Sequence, residues 1–273
     1  MITFPNCKIN LGLNILRKRE DGFHDLETVF FPINLQDALE IVPSSTKTQI
    51  TVTGIAAGNP ENNLCLKAYL LVKKDYPQLP AITIHLHKAI PIGAGLGGGS
   101  ADAAFMLQLL NTKFYLHIPG DKIFDYALQL GSDCSFFLLN KPCLASGRGE
   151  VLEPINLSLS GHKILLINPG IHVSTAEAFK KIIPAIPAKK INDIVLQPIE
   201  TWKEELGNDF ENYVFERYPH VKKIKEDLYQ KGAVYAAMSG SGSTVFGIFK
   251  KDEIINYKNE QRFFYKLINV ARL

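Results

Sequence analysis

The chain has 273 residues, 46% of them hydrophobic and 21% charged, the balance of an ordinary globular protein able to build one large core or two modest ones. Thirty Lys and Arg stand against 27 Asp and Glu, a net charge of +3, and no basic run forms a stripe for nucleic acid; Arg17-Lys18-Arg19 and Lys222-Lys223 read as solvated surface. No stretch approaches the ~20 uninterrupted apolar residues of a membrane span, and "MITFPNCKINLGLNIL" lacks the basic-then-apolar order of a secretory signal. The sequence therefore predicts a cytoplasmic protein with no membrane or nucleic-acid partner. Cys7, Cys65, Cys134 and Cys143 contain no C-x-x-C pair and read as free thiols of a reducing compartment. His85 and His87 share a strand face but have no third ligand near them in sequence, so no metal-binding side chain is assigned.

The first third is rich in short β-type runs: "KINLGLNIL", "LETVFFPI", "ALEIV", "QITVTG" and "AITIHLHKAI", separated by turn residues. Apolar residues from Leu64 to Val72 fall at helical spacing instead. A glycine loop follows the strand that ends near Ile90. From Ser100 to about Leu110 the chain reads as a helix apolar on nearly every side, hence buried. "DKIFDYALQLGSDCSFFLL" predicts a helix, a break at Gly131 and a second short helix opening at Ser132 or Asp133. Further on come a strand "HKILLINPG", a helix with Ser174 and Glu177 in capping-box positions, and a proline-punctuated loop "IIPAIPAKKI". A helix from "NDFEN" follows, with Asn208 and Glu211 again at capping spacing, then a strand "AVYAAM", a loop "SGSGS" and a strand "TVFGIF". The pattern is that of an α+β protein of two lobes, with a seam in 150–162.

From Pro91, "PIGAGLGGGSADAAFMLQLL" places five glycines in seven residues directly before the buried helix. A strand, a glycine loop and a helix N-terminus together form an anion site, because unpaired amides and the positive end of the helix dipole converge on the loop. A Walker loop would need G-K-[ST], and Gly99-Ser100-Ala101 has no lysine. Gly93, Gly95 and Gly98 satisfy G-x-G-x-x-G formally, but Asp121, the acidic residue near the expected spacing, follows a Pro-Gly turn and leads into a helix. The V-A-I-K, H-R-D and D-F-G stretches of protein kinases are lacking.

What remains, P-x-G-x-G-L-G-G-G-S running into a helix, resembles the second motif of the GHMP kinase superfamily, whose loop wraps the phosphates of ATP. "KINLGLNILRKREDGFHDLETVF" resembles the K-I-N-L-x-L and D-G-Y-H-x-L of the branch that phosphorylates 4-diphosphocytidyl-2-C-methyl-D-erythritol. "GSDCSFF", "NDFEN" and "MSGSGSTVFG" follow in that branch's order, the last like the third superfamily motif. The resemblance spans nearly the whole chain. The glycine loop alone specifies the superfamily; the K-I-N-L and D-G-[YF]-H stretches specify the branch.

The resemblance implies a two-lobed GHMP kinase fold with ATP and acceptor in the cleft between lobes. Residues 1–155 would form a nucleotide-binding lobe like ribosomal protein S5 domain 2, and 156–273 the C-terminal lobe. It maps Lys8 and Asp133 onto the catalytic pair: the carboxylate accepts the proton of the attacking hydroxyl, and the ammonium offsets charge on the phosphoryl oxygens. Pro91, Ile92, Gly93, Ala94, Gly95, Leu96, Gly97, Gly98, Gly99, Ser100 and Ala101 would bind ATP, accompanied by Mg²⁺. Ala101 stands where the family usually has Ser, and Phe23 where it usually has Tyr. Asn10, Phe23, His24 and Phe179 would bind the acceptor, a small molecule bearing cytidine diphosphate, with Phe23 and Phe179 on opposite faces of the base. The implied reaction phosphorylates the C2 hydroxyl in the non-mevalonate route to isopentenyl diphosphate and terpenoids, by a monomer or weak homodimer. Three alternatives stay open: a kinase of homoserine, mevalonate or a sugar; a silent nucleotide-binding module; and a dinucleotide oxidoreductase.

Overall fold

Alternation along β6 (Ile82–Lys88) sets the first layer: Ile82, Ile84 and Leu86 are buried, while His85 and His87 are exposed. In the computed structural model, which describes residues 1–55, 62–257 and 263–270, β6 pairs antiparallel with β4 (Ala38–Pro43) and parallel with β5 (Gln49–Gly54). β1 (Ile2–Thr3) adds to the far side of β4. Helices α1 (Leu64–Asp75), α2 (Gly98–Lys113), α3 (Gly120–Leu130) and α4 (Cys134–Leu139) share a core with the inward row of this sheet. These elements belong to one compact unit, built from Met1–Cys7, Leu35–Ile92 and Gly97–Asn140.

The second compact unit takes Lys8–Asn34, Gly93–Leu96 and Lys141–Leu273. One sheet runs in the order β2 (Asn6–Lys18), β3 (His24–Gln36), β7 (Cys143–Ser146), β8 (Val151–Pro154). The other runs β10 (Tyr235–Met238), β11 (Val245–Lys250), β9 (His162–Asn168), β12 (Phe264–Asn269), with every pair antiparallel. Helices α5 (Thr175–Lys181), α8 (Phe210–Arg217) and α9 (Pro219–Gln230) share a core with these strands through Ala178, Val214, Val221, Ile224 and Leu228. Two short helices, α6 (Ile191–Val195) and α7 (Trp202–Glu205), follow the proline-punctuated stretch. Packing thus does not follow a single cut of the chain near 155: Thr28, Val29 and Phe30 of β3 pair with Ala145, Leu144 and Cys143 of β7, which draws residues 8–34 and 141–155 into the second unit.

Two capping expectations have different outcomes. Ser174 caps α5 by accepting from the Glu177 amide at 3.3 Å. Asn208 instead donates to the carbonyls of Met238 (2.8 Å) and Gly240 (2.9 Å), and Glu211 accepts from the Met238 amide (2.8 Å) and Lys225 (2.6 Å). Asn208 Oδ1 also accepts from the Phe210 amide at 3.0 Å, so this residue serves the start of α8 as well as a strand end and a glycine turn, while Glu211 serves the strand end.

Two local features hold the glycine loop. Lys88 continues the inward row of β6, so its ammonium enters the core, 3% exposed, and requires partners there. It finds the carboxylate of Asp37 and, at 2.6 Å, that of Asp102 on α2. Asp37 also accepts from the amides of Ala89 (2.6 Å) and Ile90 (2.8 Å), the residues that lead from β6 into the loop. Burial works against the Lys88 charge, yet the two carboxylates outweigh it and its pKa lies above that of an ordinary lysine. Burial pushes the Asp102 carboxyl up to about 7, with Lys88 opposing and Asp37 adding to the rise. Within the second unit, Gly95 (φ +78°) lies so close to the 239–243 turn that a Cβ would come within 2.0 Å of the Ser239 carbonyl oxygen. Thr244 closes the same approach by donating its amide to Ala94 at 3.3 Å.

Asp102 holds its proton more tightly in the folded chain than an exposed aspartate of pKa about 3.9, so its stabilisation is complete below about pH 4 and is lost as pH rises through about 7. Melting temperature should therefore fall between pH 5 and 8 more for the native chain than for Asp102→Asn; a constant gap between the two would sink this account. Gly95→Ala should destabilise the fold by roughly 2 kcal/mol or more, from left-handed strain and the clash at Ser239. Denaturant titration checks it, and an unchanged midpoint would refute the close approach.

Candidate active site

β2 begins close to the N-terminus with nearly every residue buried, so Lys8 and Asn10, two apart on one face, both point into a packed interior. The Lys8 ammonium donates to Asn10 Oδ1 at 2.6 Å and to the Gly95 carbonyl at 3.4 Å, and lies 4.8 Å from the centroid of the Phe30 ring. Its backbone amide donates to Leu96 at 3.0 Å, which ties the strand to the loop. Asn10 is fixed from behind: its Nδ2 donates to Thr28 at 3.0 Å, whose hydroxyl donates to the Gly12 carbonyl. Ser239 completes the group, accepting from the Asn10 amide (3.2 Å) and donating to Gly95 (2.8 Å). The result is a buried ammonium within hydrogen-bond reach of an amide oxygen and of the backbone of the glycine loop.

In the first unit, α2 begins at Gly98 rather than Ser100, because Gly97 adopts a left-handed conformation (φ 70°) and takes the N-cap position. No side chain caps this end, so the first-turn amides and the dipole of a sixteen-residue helix are available to an anion. Gly99 is exposed and Ser100 half-buried, whereas the methyl group of Ala101 is fully buried in the core. Ser100 hydrogen-bonds the Cys134 thiol, whose pKa burial pushes up to about 12, with that bond and the Asp133 charge as smaller influences. Asp133, half-buried, occupies the N-cap position of α4 and makes no side-chain cap hydrogen bond.

The residues expected to recognise the acceptor separate into two pairs. Phe23 sits in a turn fixed by Arg19 donating its amide to the Phe23 carbonyl (2.8 Å) and by the Phe23 amide donating to Asp21 (3.0 Å). The guanidinium of Arg148 lies 4.8 Å from its ring centroid. Phe179 is stacked on His24, centroids 4.9 Å apart and planes 18° apart, and is braced edge-on by Phe210. Burial, and secondarily the charge of Lys18, lowers the pKa of His24, which favours the neutral imidazole. The partner the structure gives Phe179 is therefore His24, and that of Phe23 is Arg148.

Thr28, His172 and Arg148 were not singled out by the sequence. His172 stands beside Gly93, its Nδ1 3.5 Å from where a Cβ would project. Thr28 and Ser239 are single hydroxyls inside strand and turn patterns, and only the register of β3 and the folded turn bring them to Asn10. Arg148 did carry a signal: "SGRGE" between two short β-type runs is a hairpin turn.

Comparison with known proteins identifies the family. The family model of the GHMP kinases N terminal domain matches residues 63–141, and that of the GHMP kinases C terminal matches 188–265. A 4-diphosphocytidyl-2-C-methyl-D-erythritol kinase of Bacteroides fragilis (strain ATCC 25285) is 54% identical over 259 residues, 93% of this chain and 94% of its own. A crystal structure of 4-(cytidine 5'-diphospho)-2C-methyl-D-erythritol kinase superposes with a TM-score of 0.78 at 32% identity, covering 90% of this chain and 89% of the other. Mevalonate kinase of Methanococcus jannaschii, at 15% identity and a TM-score of 0.72 over 100% of this chain and 98% of its own, shares the fold alone. The chain belongs to the 4-diphosphocytidyl-2-C-methyl-D-erythritol kinase family of the GHMP kinases.

Proposed function

We propose that the protein transfers the γ-phosphoryl group of ATP to the C2 hydroxyl of 4-diphosphocytidyl-2-C-methyl-D-erythritol, giving the 2-phosphate and ADP, in the non-mevalonate route to isopentenyl diphosphate and terpenoids. The observation that carries the reading is 54% identity, over 93% of the chain, to a relative of that name. In this proposal Asp133 accepts the proton of the tertiary hydroxyl as it attacks in line. Lys8 offsets the charge that grows on the phosphoryl oxygens, and does so without reorganisation because Asn10 and the Gly95 carbonyl already hold it. The amides of the loop from Gly93 to Ser100 hold the phosphates.

Asn10 orients the ammonium and contacts the acceptor, while Phe23, His24 and Phe179 recognise its cytidine. Magnesium belongs to the nucleotide in this scheme: among the described residues no group of three or more His, Cys, Asp or Glu stands together to hold a metal ion. Four buried free thiols support a cytoplasmic setting. The enzyme would act as a monomer or weak homodimer on a small molecule alone.

ATP consumption with the cytidine acceptor, homoserine and mevalonate offered in parallel should show turnover with the first only; turnover with another acceptor would overturn the substrate. Asp133→Asn should lower kcat by about 10²–10⁴-fold with little change in nucleotide affinity by calorimetry. Retention of more than about a tenth of kcat would remove Asp133 from the role of base. Lys8→Met should lower kcat by about 10²-fold or more, and single-turnover measurements showing an unaltered chemical step would exclude it.

A further inference from the structure

Arg148 lies at the tip of the hairpin between β7 and β8, and no role given above uses it. Its guanidinium over Phe23 is a prepared arrangement rather than a loose surface contact. On its own side, the Arg148 amide donates to Glu150 Oε2 at 2.5 Å, and its Nε lies 3.4 Å from Oε1 of the same carboxylate. The hairpin is tied to β3, because the Leu26 amide donates to the Gly147 carbonyl at 2.7 Å. Gly147 takes a left-handed φ of +68° there, a conformation that favours glycine. On the other side, Asp21 and Arg19 fix the backbone of Phe23 within its own turn. Two short turns therefore set a cation over an aromatic ring. That ring is nevertheless 53% exposed, which leaves it surface the guanidinium does not cover.

We propose that Arg148 is a specificity-determining residue for the acceptor: it backs the Phe23 ring as the outer layer of a stack of guanidinium, ring and pyrimidine base. The inference rests on the reading of Phe23 as the platform for the base. A large exposed aromatic has two free side-chain torsions, and a base that stacks on it must first immobilise it. The guanidinium does this in advance, and pre-organisation of this kind raises affinity without any new contact to the ligand. Its positive charge also favours a nucleoside diphosphate over an uncharged nucleoside. Acceptors that lack a base gain nothing from the stack.

Steady-state kinetics on the native protein, Arg148→Ala, Phe23→Ala and the double variant test it. Arg148→Ala should raise KM for the cytidine acceptor about five- to tenfold, the weight of one cation–π contact, and change kcat and KM for ATP by no more than about twofold. In the Phe23→Ala background the same substitution should change KM for the acceptor by no more than about twofold, because the effect passes through the ring. An equal rise in both backgrounds overturns the proposal, since the guanidinium would then act without Phe23. No effect of Arg148→Ala, with Phe23→Ala still raising KM, overturns it and leaves the base platform standing. If Phe23→Ala leaves KM unchanged, the platform and the proposal fail together.

Discussion

The approach of two glycine turns within one compact unit governs the candidate site. Residues 93–96 and 239–244 touch through backbone: the Gly95 carbonyl receives the Ser239 hydroxyl, and the Ala94 carbonyl receives the Thr244 amide. Side chains would hold them apart, so the spacing depends on residues that have none. Lys8, Asn10 and Thr28 are then positioned by what this contact leaves accessible, namely the Gly95 and Leu96 carbonyls and one serine hydroxyl. The second and third sequence motifs of the family are thereby explained as two sides of one contact.

The molecule buries two lysines, Lys88 and Lys8, in its two compact units. Lys88 meets two carboxylates and is neutralised, an arrangement suited to bracing the entrance and exit of a loop. Among the contacts of Lys8 are an amide oxygen, a backbone carbonyl and an aromatic face. One oxygen of Asp102 is buried without a partner, a cost natural proteins accept mainly near functional loops.

Much of this was legible in the sequence because period and punctuation are local. Alternation located β4, β5 and β6, glycine located the loop and the break before Asp133, and Ser174 announced α5. The start of α2 shifted by two residues because a left-handed glycine can cap a helix, and residue type alone does not disclose backbone handedness. Asn208 Oδ1 does accept from the Phe210 amide at the start of α8, whereas its Nδ2 and the Glu211 carboxylate turn to β10 and the following turn, about 30 residues on, which spacing alone does not disclose. The hairpin of β7 and β8 and the edge strand β12 were missed, each being short and weakly alternating. Family resemblance supplied the roles of Lys8 and Asp133; neither residue's own neighbours in sequence would have done so.

The discontinuous threading of the second unit bears on how the chain folds. Strands β2 and β3 leave the ribosome early, yet β3 pairs with β7, more than a hundred residues later, and β2 forms a bridge with Asn208 through Leu13. The sheet carrying Lys8 therefore waits for more than half the chain to be synthesised, whereas α1, β6 and α2 find their partners nearby. Contacts of such long sequence separation form slowly and leave apolar strands uncovered in the interval. A nascent chain would thus assemble the helical layer and the glycine-capped α2 before the sheet that carries Lys8 is complete.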